Sequence, residues 1–344
     1  MFKLKNLKYN FKGIQIINYI KFKFSKKKPV LNYRPIWLLI YVSDLCNLRC
    51  EFCPHHNGFE NSFAFQKKLA KEFMTPDLLN KIYKKFPESI FVMLGGVGEP
   101  LLNPYFKDLV KITSENRKKM NLITNGVLLD KNMADYLLSN KYMNQISISL
   151  NASNDEEYYN ICKIHKFNDV VNNIKYLVKR KKELHSDVEI VVSGVCSHEF
   201  VNSGIQFLNF CDTLGVDRID LHRYIDFDVI GGLTDIDDMH DDMKKIFECA
   251  KKLNTKITLP HSISKKTYTK SCDWYFKNLS FDAKGNMGSC GRVINPDKKY
   301  GNINDKEDIW NNEYMQMMRA KFLDPADVVT KYCEKCIENH EATK

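Results

Sequence analysis

Three cysteines lie within eight residues of each other, at Cys46, Cys50 and Cys53. Thiolates are the ligands that iron–sulfur clusters prefer, and one short loop can place three of them around a single 4Fe–4S cube. A cube has four irons, so three protein ligands leave one iron open to a ligand that is not protein. Zinc is the alternative, because a closed tetrahedral site needs a fourth ligand that His55 or His56 could supply. Three clustered cysteines cannot pair evenly, which argues against a disulfide framework.

Charge is distributed unevenly along the 344 residues. The formal net charge is +10, and residues 1–34 contain nine lysines, Arg34 and no acid, so the rest of the chain is neutral. A basic segment with interleaved aromatic and isoleucine side chains can bind an anionic membrane surface, an acidic partner or nucleic acid. A solvated, partly disordered extension is the alternative. Nothing in the rest of the sequence indicates nucleic acid, and we expect none as a partner.

Cysteine usage indicates the compartment. Eleven cysteines without a secretion signal are typical of a reducing environment, where clustered cysteines form metal or redox sites. The apolar stretch from Ile14 to Ile20 is interrupted by Gln15 and Asn18, so it is too short and too polar for a signal or membrane helix. We therefore expect a cytoplasmic protein, peripheral at the inner membrane face if its basic segment binds lipid.

Short apolar runs alternate with segments of helical period from residue 36 onward. Strands are expected at residues 36–42, 90–94, 121–124, 145–150, 187–195 and 217–222. Strands and helices that alternate at this spacing predict a parallel sheet with crossover helices. The fold class predicted is therefore α/β, a partial (β/α)6 TIM barrel in which ligands bind at the carboxyl ends of the strands.

The pattern changes beyond Pro260. Short β-like pieces surround the turn at residues 283–285, and a helix is expected from about residue 306 to 322. The predicted organisation is a basic extension at residues 1–34, the barrel at residues 35–260, and a small α+β domain at residues 261–344.

The cysteine loop and three later motifs resemble those of the radical S-adenosylmethionine (SAM) enzymes. The loop has the family's spacing, with the aromatic Phe52 before its last cysteine. Residues 95–100 (GGVGEP) resemble the family's glycine-glycine-glutamate motif, residues 124–126 (TNG) its third-strand motif, and residues 147–152 (SISLNA) its ribose-binding fourth strand. The likeness extends over most of residues 36–260.

The resemblance implies a SAM site built from the strand ends. The open iron would chelate the methionine end of SAM, which Gly95 and Gly96 would let the backbone approach closely. Glu99 would accept a charge-assisted hydrogen bond from the SAM ammonium. The other candidates for contact with SAM are Gly98, Asn125, Ser149, Asn151 and Ser193.

The fourth strand supplies two of these candidates. Ser149 and Asn151 are two residues apart, so we expect both on one face of the strand, where they can meet ribose hydroxyls; ordinary polarity at a strand end is the alternative. Asn151 stands where an aspartate is common in the family, and Cys162-Lys163 stands where many relatives have an arginine. We therefore expect SAM to be held somewhat differently on this side.

A second group of cysteines resembles the SPASM and twitch extensions of radical enzymes. Its members are Cys272, Cys290, Cys333 and Cys336. The full SPASM pattern has more cysteines, so the resemblance implies a twitch-type domain with one fully ligated auxiliary 4Fe–4S cluster; zinc on the same thiolates is the alternative. Of the four other cysteines we expect most to be buried hydrophobes, with Cys196 a candidate hydrogen-atom donor.

The resemblance also implies a reaction. An electron delivered to the first cluster would cleave SAM and yield a 5′-deoxyadenosyl radical, which would remove a hydrogen atom from the substrate. The fully ligated second cluster has no open iron, so it would accept an electron from the substrate radical while a base takes a proton. Candidates for that base, just past the sixth strand, are His222, Arg223, Tyr224 and Asp226; solvated strand-end residues are the alternative.

We therefore expect an oxidoreductase, a radical dehydrogenase or epimerase acting on a small polar molecule such as an amino sugar, a cyclitol or a sugar nucleotide. Its electron donor would be a protein such as flavodoxin or ferredoxin. Peptide modification is the alternative, although peptide-modifying relatives commonly carry a folded peptide-binding domain ahead of the barrel, for which 35 residues are too few. A non-catalytic iron–sulfur protein is a third possibility, against which Glu99 and seven cluster thiols argue. The basic segment would suit a lipid-linked or phosphorylated substrate.

Overall fold

The computed structural model describes residues 9–53, 72–224, 240–260, 266–268, 272–291 and 300–324, with short pieces at 326–327, 329, 333 and 340–342. The helices are α1 (Gly13–Phe24), α2 (Pro76–Lys85), α3 (Phe106–Glu115), α4 (Lys131–Leu138), α5 (Asp155–Cys162), α6 (Phe167–Glu183), α7 (His198–Thr213), α8 (His240–Ala250), α9 (Trp274–Lys277) and α10 (Glu313–Leu323). The strands are β1 (Trp37–Tyr41), β2 (Phe91–Gly95), β3 (Lys119–Thr124), β4 (Met143–Ser149), β5 (Glu189–Cys196), β6 (Arg218–Arg223), β7 (Lys256–Thr258), β8 (Lys266–Tyr268), β9 (Asn278–Phe281), β10 (Met287–Gly288) and β11 (His340–Ala342).

Nine of these strands form one sheet, in the order β10-β9-β1-β2-β3-β4-β5-β6-β7. Strands β1 to β6 are parallel neighbours in chain order, with helices in the connections. This confirms the predicted α/β class and the partial barrel. All six strands end at the same edge of the sheet, so the loops that follow them lie side by side.

Side-chain caps fix several of the helices that cross between strands. The Thr75 hydroxyl accepts a hydrogen bond from Leu78 N, and Pro76 occupies the first helical position. The Asp130 carboxylate accepts from Met133 N in the same way. Both helix starts follow the sequence signals for them, because a short polar side chain satisfies an amide that the helix leaves without a partner.

The sheet continues beyond the predicted barrel at both of its edges. Strand β7 pairs with β6 and was not expected, because a run of three residues carries little periodicity. On the other edge β9 pairs in parallel with β1, and β10 is antiparallel to β9. The sheet therefore includes strands from the carboxyl-terminal region, although the boundary near residue 260 stays a prediction.

Two helical expectations differ in detail. The helical period of residues 154–184 predicts one helical span, but the structure divides it into α5 and α6, because Lys163 after α5 has a left-handed backbone with φ 60°. The helix expected from residue 306 begins instead at Glu313, where the Asn312 side chain accepts from Met315 N. Asparagine is a strong capping residue, so this start was readable from the sequence.

Residues 9–34 of the basic segment pack on the rest of the protein and are not a solvated extension. Leu31 and Tyr33 are buried in the main core. The Asn311 side chain donates to Leu31 O and accepts from Leu31 N, both at 3.0 Å, and Trp310 Nε1 donates to Tyr33 O at 2.7 Å. The first strand is thus entered from a segment fixed to the carboxyl-terminal region. No helix among the described residues is long and apolar enough to cross a membrane.

Candidate iron–sulfur and SAM site

The cysteine loop follows β1 and is fixed to the end of α5. Arg49 N donates to Cys162 O at 3.2 Å, and Glu51 N donates to Ile161 O at 2.9 Å. The last carbonyls of a helix have no partners within the helix itself. The amides of Arg49 and Glu51 supply partners for two of these carbonyls, so the end of α5 fixes the loop between Cys46 and Cys53.

The surroundings of two of these sulfurs suit metal-bound thiolates, although no three candidate ligands among the described residues converge as a metal site requires. Leu48 N donates to Cys46 Sγ at 3.4 Å, and Asn125 Nδ2 lies 3.8 Å from the same sulfur. Burial raises the pKa of Cys46 to about 11, while contact with the Cys162 thiol and burial raise the pKa of Cys50. Thiolates in such a place need a cation to offset the loss of water, and N–H donors to sulfur are typical of cluster ligands. Cys53 is half-buried in the same loop, and the zinc alternative depends on histidines outside the described residues.

Glu99 connects the second strand to the third. Its buried carboxylate accepts from Thr124 Oγ1 at 2.6 Å, from Asn125 N at 2.7 Å and from Leu101 N at 3.0 Å. Burial raises the pKa of Glu99, and these three hydrogen bonds act in the opposite direction. Since each carboxylate oxygen can accept two hydrogen bonds, Oε2 can accept an ammonium donor as well as Asn125 N.

The loop after β2 packs directly on the cysteine loop. Gly98 N donates to Ser43 O at 2.8 Å, and Glu99 N donates to Leu45 O at 2.7 Å. A Cβ atom at Gly98 would lie 2.2 Å from Leu45 O, so only glycine fits there. Gly96 has φ +120°, which also favours glycine. A Cβ atom at Gly95 would lie 3.5 Å from its nearest neighbour, so the local packing does not require glycine there.

Asn125 completes the connection between the third strand and the cysteine loop. Its amide Nδ2 donates to Asn47 Oδ1 at 2.7 Å, and its Oδ1 accepts from Val127 N at 3.1 Å. One continuous set of hydrogen bonds therefore extends from Glu99 through Asn125 to Asn47 and Cys46. It orients the loops of three strands towards one another at the carboxyl edge of the sheet.

The fourth and fifth strands meet through their polar ends. Ser149 is the last residue of β4 and lies opposite Ser193. Asn151 lies beyond the strand with φ 61°, and its buried Oδ1 accepts from Val195 N at 3.0 Å. Strand alternation therefore does not place Asn151 on the face of Ser149, as the sequence suggested, because the chain turns between them. Contact of these residues with SAM stays a prediction.

The rim beyond the sixth strand holds three of the four predicted base candidates. His222 is exposed, Tyr224 is half-buried, and Arg223 is 8% exposed at the end of β6. Arg223 is paired in register with Cys196 on β5. Burial raises the pKa of Cys196 to about 12, although the Arg223 charge lowers it, so the group is a thiol at neutral pH. Asp226 lies outside the described residues.

One member of the second cysteine group, Cys290, lies near the end of β1. The Cys290 thiolate contributes to the raised pKa of Tyr41, after burial, and Tyr41 Oη donates to Gly291 O at 3.4 Å. Burial raises the pKa of Tyr300, and the charge of Cys333 adds to this. Cys272 is half-buried, and Cys336 lies outside the described residues. Cys290 is therefore near the strand that leads into the first cysteine loop.

Residues 40–203 match the family model of the radical SAM superfamily. The chain belongs to the radical SAM superfamily. Residues 272–337 match the SPASM model, an iron–sulfur cluster-binding domain. The first match contains the cysteine loop and every predicted contact with SAM, and the second contains all four predicted auxiliary cysteines. The radical SAM match implies SAM and a 4Fe–4S cluster as cofactors, and the SPASM match implies an auxiliary iron–sulfur cluster.

Curated relatives match parts of this radical SAM chain. A probable GTP 3′,8-cyclase of Methanocaldococcus jannaschii is 32% identical over 142 residues, which are 40% of this chain and 44% of that protein. A tungsten-containing aldehyde ferredoxin oxidoreductase cofactor-modifying protein of Pyrococcus furiosus is 32% identical over 102 residues, 28% of this chain and 26% of that one. The chain thus spans less than half the length of either relative.

Solved structures show the same fold. Streptococcus suis SuiB bound to S-adenosylmethionine has a TM-score of 0.66 at 16% identity, covering 89% of this chain and 72% of that one. Native anSMEcpe with bound AdoMet has a TM-score of 0.62 at 16% identity, covering 88% and 95%. At this identity the likeness concerns the fold alone.

Three residues of the site had no role predicted from the sequence, although Thr124 belongs to the third-strand motif. Thr124 and Asn47 carry the hydrogen bonds between Glu99, Asn125 and the cysteine loop, and Cys162 contacts the Cys50 thiol. The signal for Thr124 was present, since it directly precedes Asn125 at a strand end. Cys162 had no signal, because its place beside the loop depends on how α5 packs.

Proposed function

We propose that this radical SAM protein abstracts a hydrogen atom from a small polar substrate and oxidises or epimerises it, as a dehydrogenase or epimerase. The observation that carries the proposal is the hydrogen-bonded connection from Glu99 through Asn125 to Cys46 at the carboxyl edge. A chain that kept only a structural cluster would have no need to tie a buried carboxylate to the cluster loop. This argues against a non-catalytic iron–sulfur protein.

The residues of the carboxyl edge would bind SAM and hold it still. When bound and reduced, the cluster with SAM supplies the radical that attacks a C–H bond. Cys46, Cys50 and Cys53 would hold that cluster, and Glu99 would accept from the ammonium of SAM. Because Thr124 and Asn125 already fix the carboxylate, it is preorganised for that hydrogen bond and loses little entropy on binding.

The sixth strand offers a group that would orient the substrate. Arg223 presents a guanidinium at the end of β6 while 92% of its surface is covered by protein. A guanidinium pairs in bidentate fashion with phosphate or carboxylate, and burial strengthens such a pair. Among the substrates considered, a sugar nucleotide supplies that phosphate. Relatives named as GTP 3′,8-cyclases are consistent with a nucleotide-bearing substrate.

Proton transfer at the rim is assigned to His222. It is exposed at the end of β6, next to Arg223 in sequence. An imidazole is a common general base, so His222 would take the proton that leaves the substrate radical, and the auxiliary cluster, when bound, would supply the acceptor for its electron. The electron needed to begin each turnover would come from a flavodoxin or ferredoxin.

Substrate-dependent formation of 5′-deoxyadenosine tests this function. Anaerobically reconstituted protein is supplied with SAM, a reductant and, in separate reactions, sugar nucleotides, free amino sugars, cyclitols and a peptide pool. We expect a sugar nucleotide to increase 5′-deoxyadenosine formation by at least about tenfold and to transfer deuterium from a labelled C–H position into it.

The other outcomes decide between the alternatives. Stimulation by peptides alone would replace the proposal with peptide modification. A protein that holds its clusters but never cleaves SAM would be a non-catalytic iron–sulfur protein. The variant Arg223→Lys retains the charge but loses the bidentate geometry, so it should raise KM for the nucleotide more than it lowers kcat.

A further inference from the structure

Helix α1 packs against the barrel with the side that carries Gln15 and Asn18, beside the partly buried Tyr19 and Phe22. Gln15 is fully buried and donates from Nε2 to Ser89 O at 3.0 Å, with Asn116 O and Arg117 O at 3.3 and 3.4 Å. Asn18 is 4% exposed, and its side-chain amide exchanges two hydrogen bonds with the backbone of Arg34. These bonds fix the rotation of the helix about its own axis.

The opposite side of α1 is apolar and faces solvent. Ile17, Ile20 and Phe24 are 57%, 50% and 86% exposed. Successive residues of an α-helix are about 100° apart, which places these three on one stripe opposite Gln15. Amphipathic helices of globular proteins ordinarily bury their apolar stripe. Here an apolar stripe is left exposed, and the polar anchors on the opposite side hold it outward.

Lysines border this stripe on both sides. The same helical geometry places Lys21 along one margin and Lys23 along the other, and Lys26, Lys27 and Lys28 follow the helix directly. No acidic residue occurs among residues 9–34. Lysine stems can extend along an apolar surface while their ammonium groups reach anionic headgroups. A second copy of the chain would bring like charges together, whereas an anionic bilayer is complementary in both apolarity and charge.

The helix lies at the amino-terminal edge of the sheet. Its acceptors at Ser89 and Arg117 directly precede β2 and β3, and Tyr9 Oη, just before the helix, donates to Asn144 at the start of β4, at 3.4 Å. The cysteine loop lies at the other ends of these strands. Strands of five to seven residues separate the two edges by about 20 Å.

We infer that the Ile17–Ile20–Phe24 stripe of α1 is a docking face for anionic lipid bilayers. The protein lies on the bilayer by its amino-terminal edge, and its SAM-binding edge faces the aqueous side. This inference does not depend on the identity of the substrate. A lipid-linked substrate, which the basic segment suggested, would then reach the SAM site poorly. Its headgroup at the bilayer would lie on the opposite side of the barrel from that site.

Co-sedimentation of the holoprotein with vesicles tests the face. Vesicles of phosphatidylglycerol mixed with phosphatidylcholine should bind the protein, and phosphatidylcholine alone should bind it far less. We expect Ile17→Glu/Ile20→Glu to lower the partition coefficient by at least about tenfold, because two apolar groups leave the bilayer. Lys21→Gln/Lys23→Gln should keep residual binding but lose most of the preference for anionic lipid.

The matched control is Tyr105→Glu/Met317→Glu, which adds the same charges at apolar side chains of similar exposure, 44% and 43%. It should bind vesicles as the wild type does. Iron content and thermal unfolding of each variant show that it is folded. Unchanged partition of Ile17→Glu/Ile20→Glu overturns the inference, and so does a lipid-free dimer that this variant abolishes, because a second copy would then cover the stripe.

Hydrogen exchange on vesicles tests the orientation separately. Protection should increase over residues 13–24 and remain unchanged over residues 125–130, at the SAM-binding edge. Protection of residues 125–130 instead would overturn the orientation. Neither measurement depends on turnover, so failure of the proposed reaction would leave this result standing.

Discussion

The two edges of the parallel sheet both bury polar side chains, but they use them differently. At the amino-terminal edge, Lys118 Nζ donates to Phe86 O at 3.1 Å, Ser89 O at 2.8 Å and Ser89 Oγ at 2.6 Å. At the carboxyl edge, Glu99 and Asn125 connect loops that carry thiols. Buried polarity alone therefore does not identify a site.

The chemistry of the partners distinguishes the two edges. The amino edge saturates its donors with backbone carbonyls, which closes the surface and anchors α1. The carboxyl edge directs N–H donors at the sulfur of Cys46. The first arrangement supports stability, and the second supports a reaction. Substitutions at one edge should therefore leave the function of the other intact.

Removing the cluster ligands should have the largest effect. Cys46→Ala/Cys50→Ala/Cys53→Ala should lose about four irons of an expected total of about eight, and formation of 5′-deoxyadenosine should fall by at least about a thousandfold. Cys211→Ala is the control, since that thiol is fully buried in α7 and belongs to neither cysteine group. Iron analysis with chromatographic detection of 5′-deoxyadenosine measures both quantities. Retention of all iron in the triple variant would contradict the assignment.

Glu99→Gln should have the second-largest effect. The amide of glutamine places a donor opposite either the Asn125 amide or the Thr124 hydroxyl, and it removes the charge that an ammonium would meet. Affinity for SAM should fall by at least about tenfold, as expected for loss of a charge-assisted hydrogen bond. Equilibrium dialysis of the reconstituted protein measures it. Glu115→Gln on the exposed end of α3 should leave the affinity unchanged, and equal effects of the two variants would contradict a specific role for Glu99.

Lys118→Met tests the other edge through pH. Burial lowers the pKa of Lys118 to about 7 from its ordinary 10.5, so between these values the unfolded chain binds more protons and the stability of the wild type rises with pH. The variant lacks that rise. The deficit of the variant in unfolding free energy should therefore be about 3 kcal/mol larger at pH 9 than at pH 6, measured by calorimetry under nitrogen. SAM cleavage per folded protein should be unchanged, and a pH-independent deficit would show that Lys118 keeps its proton.

Arg34→Gln should have the smallest effect. The guanidinium forms an ion pair with Asp308 at 2.8 Å, in which the two side chains are 26% and 45% exposed. Solvent screens such pairs, so unfolding free energy should change by at most about 1 kcal/mol. Asn18→Ala should cost more, because it leaves the Arg34 backbone without its amide partner. Thermal unfolding of the two variants compares them, and the reverse order would show that charge rather than backbone pairing fixes this segment.

The sequence predicted the carboxyl edge far better than the amino edge. The spacing of the cysteines and the strand-end motifs identified the first site because its residues are adjacent in the chain. The exposed apolar stripe of α1 could not be predicted, because Gln15, which fixes the rotation of the helix, has its carbonyl acceptors 74 to 102 residues away. For the same reason the sequence indicated Glu99 but not Thr124 as its partner. Contacts between loops depend on tertiary packing that no local pattern contains.

The open iron at Cys46–Cys53 is tested most directly by electron paramagnetic resonance. Cys272→Ala/Cys290→Ala should retain only the first cluster, so its reduced spectrum reports on that cluster alone. Adding SAM should change this spectrum, because the methionine end of SAM binds the iron that has no protein ligand. A spectrum that is unchanged at saturating SAM would mean that the carboxyl edge holds a closed cluster, and would contradict the account.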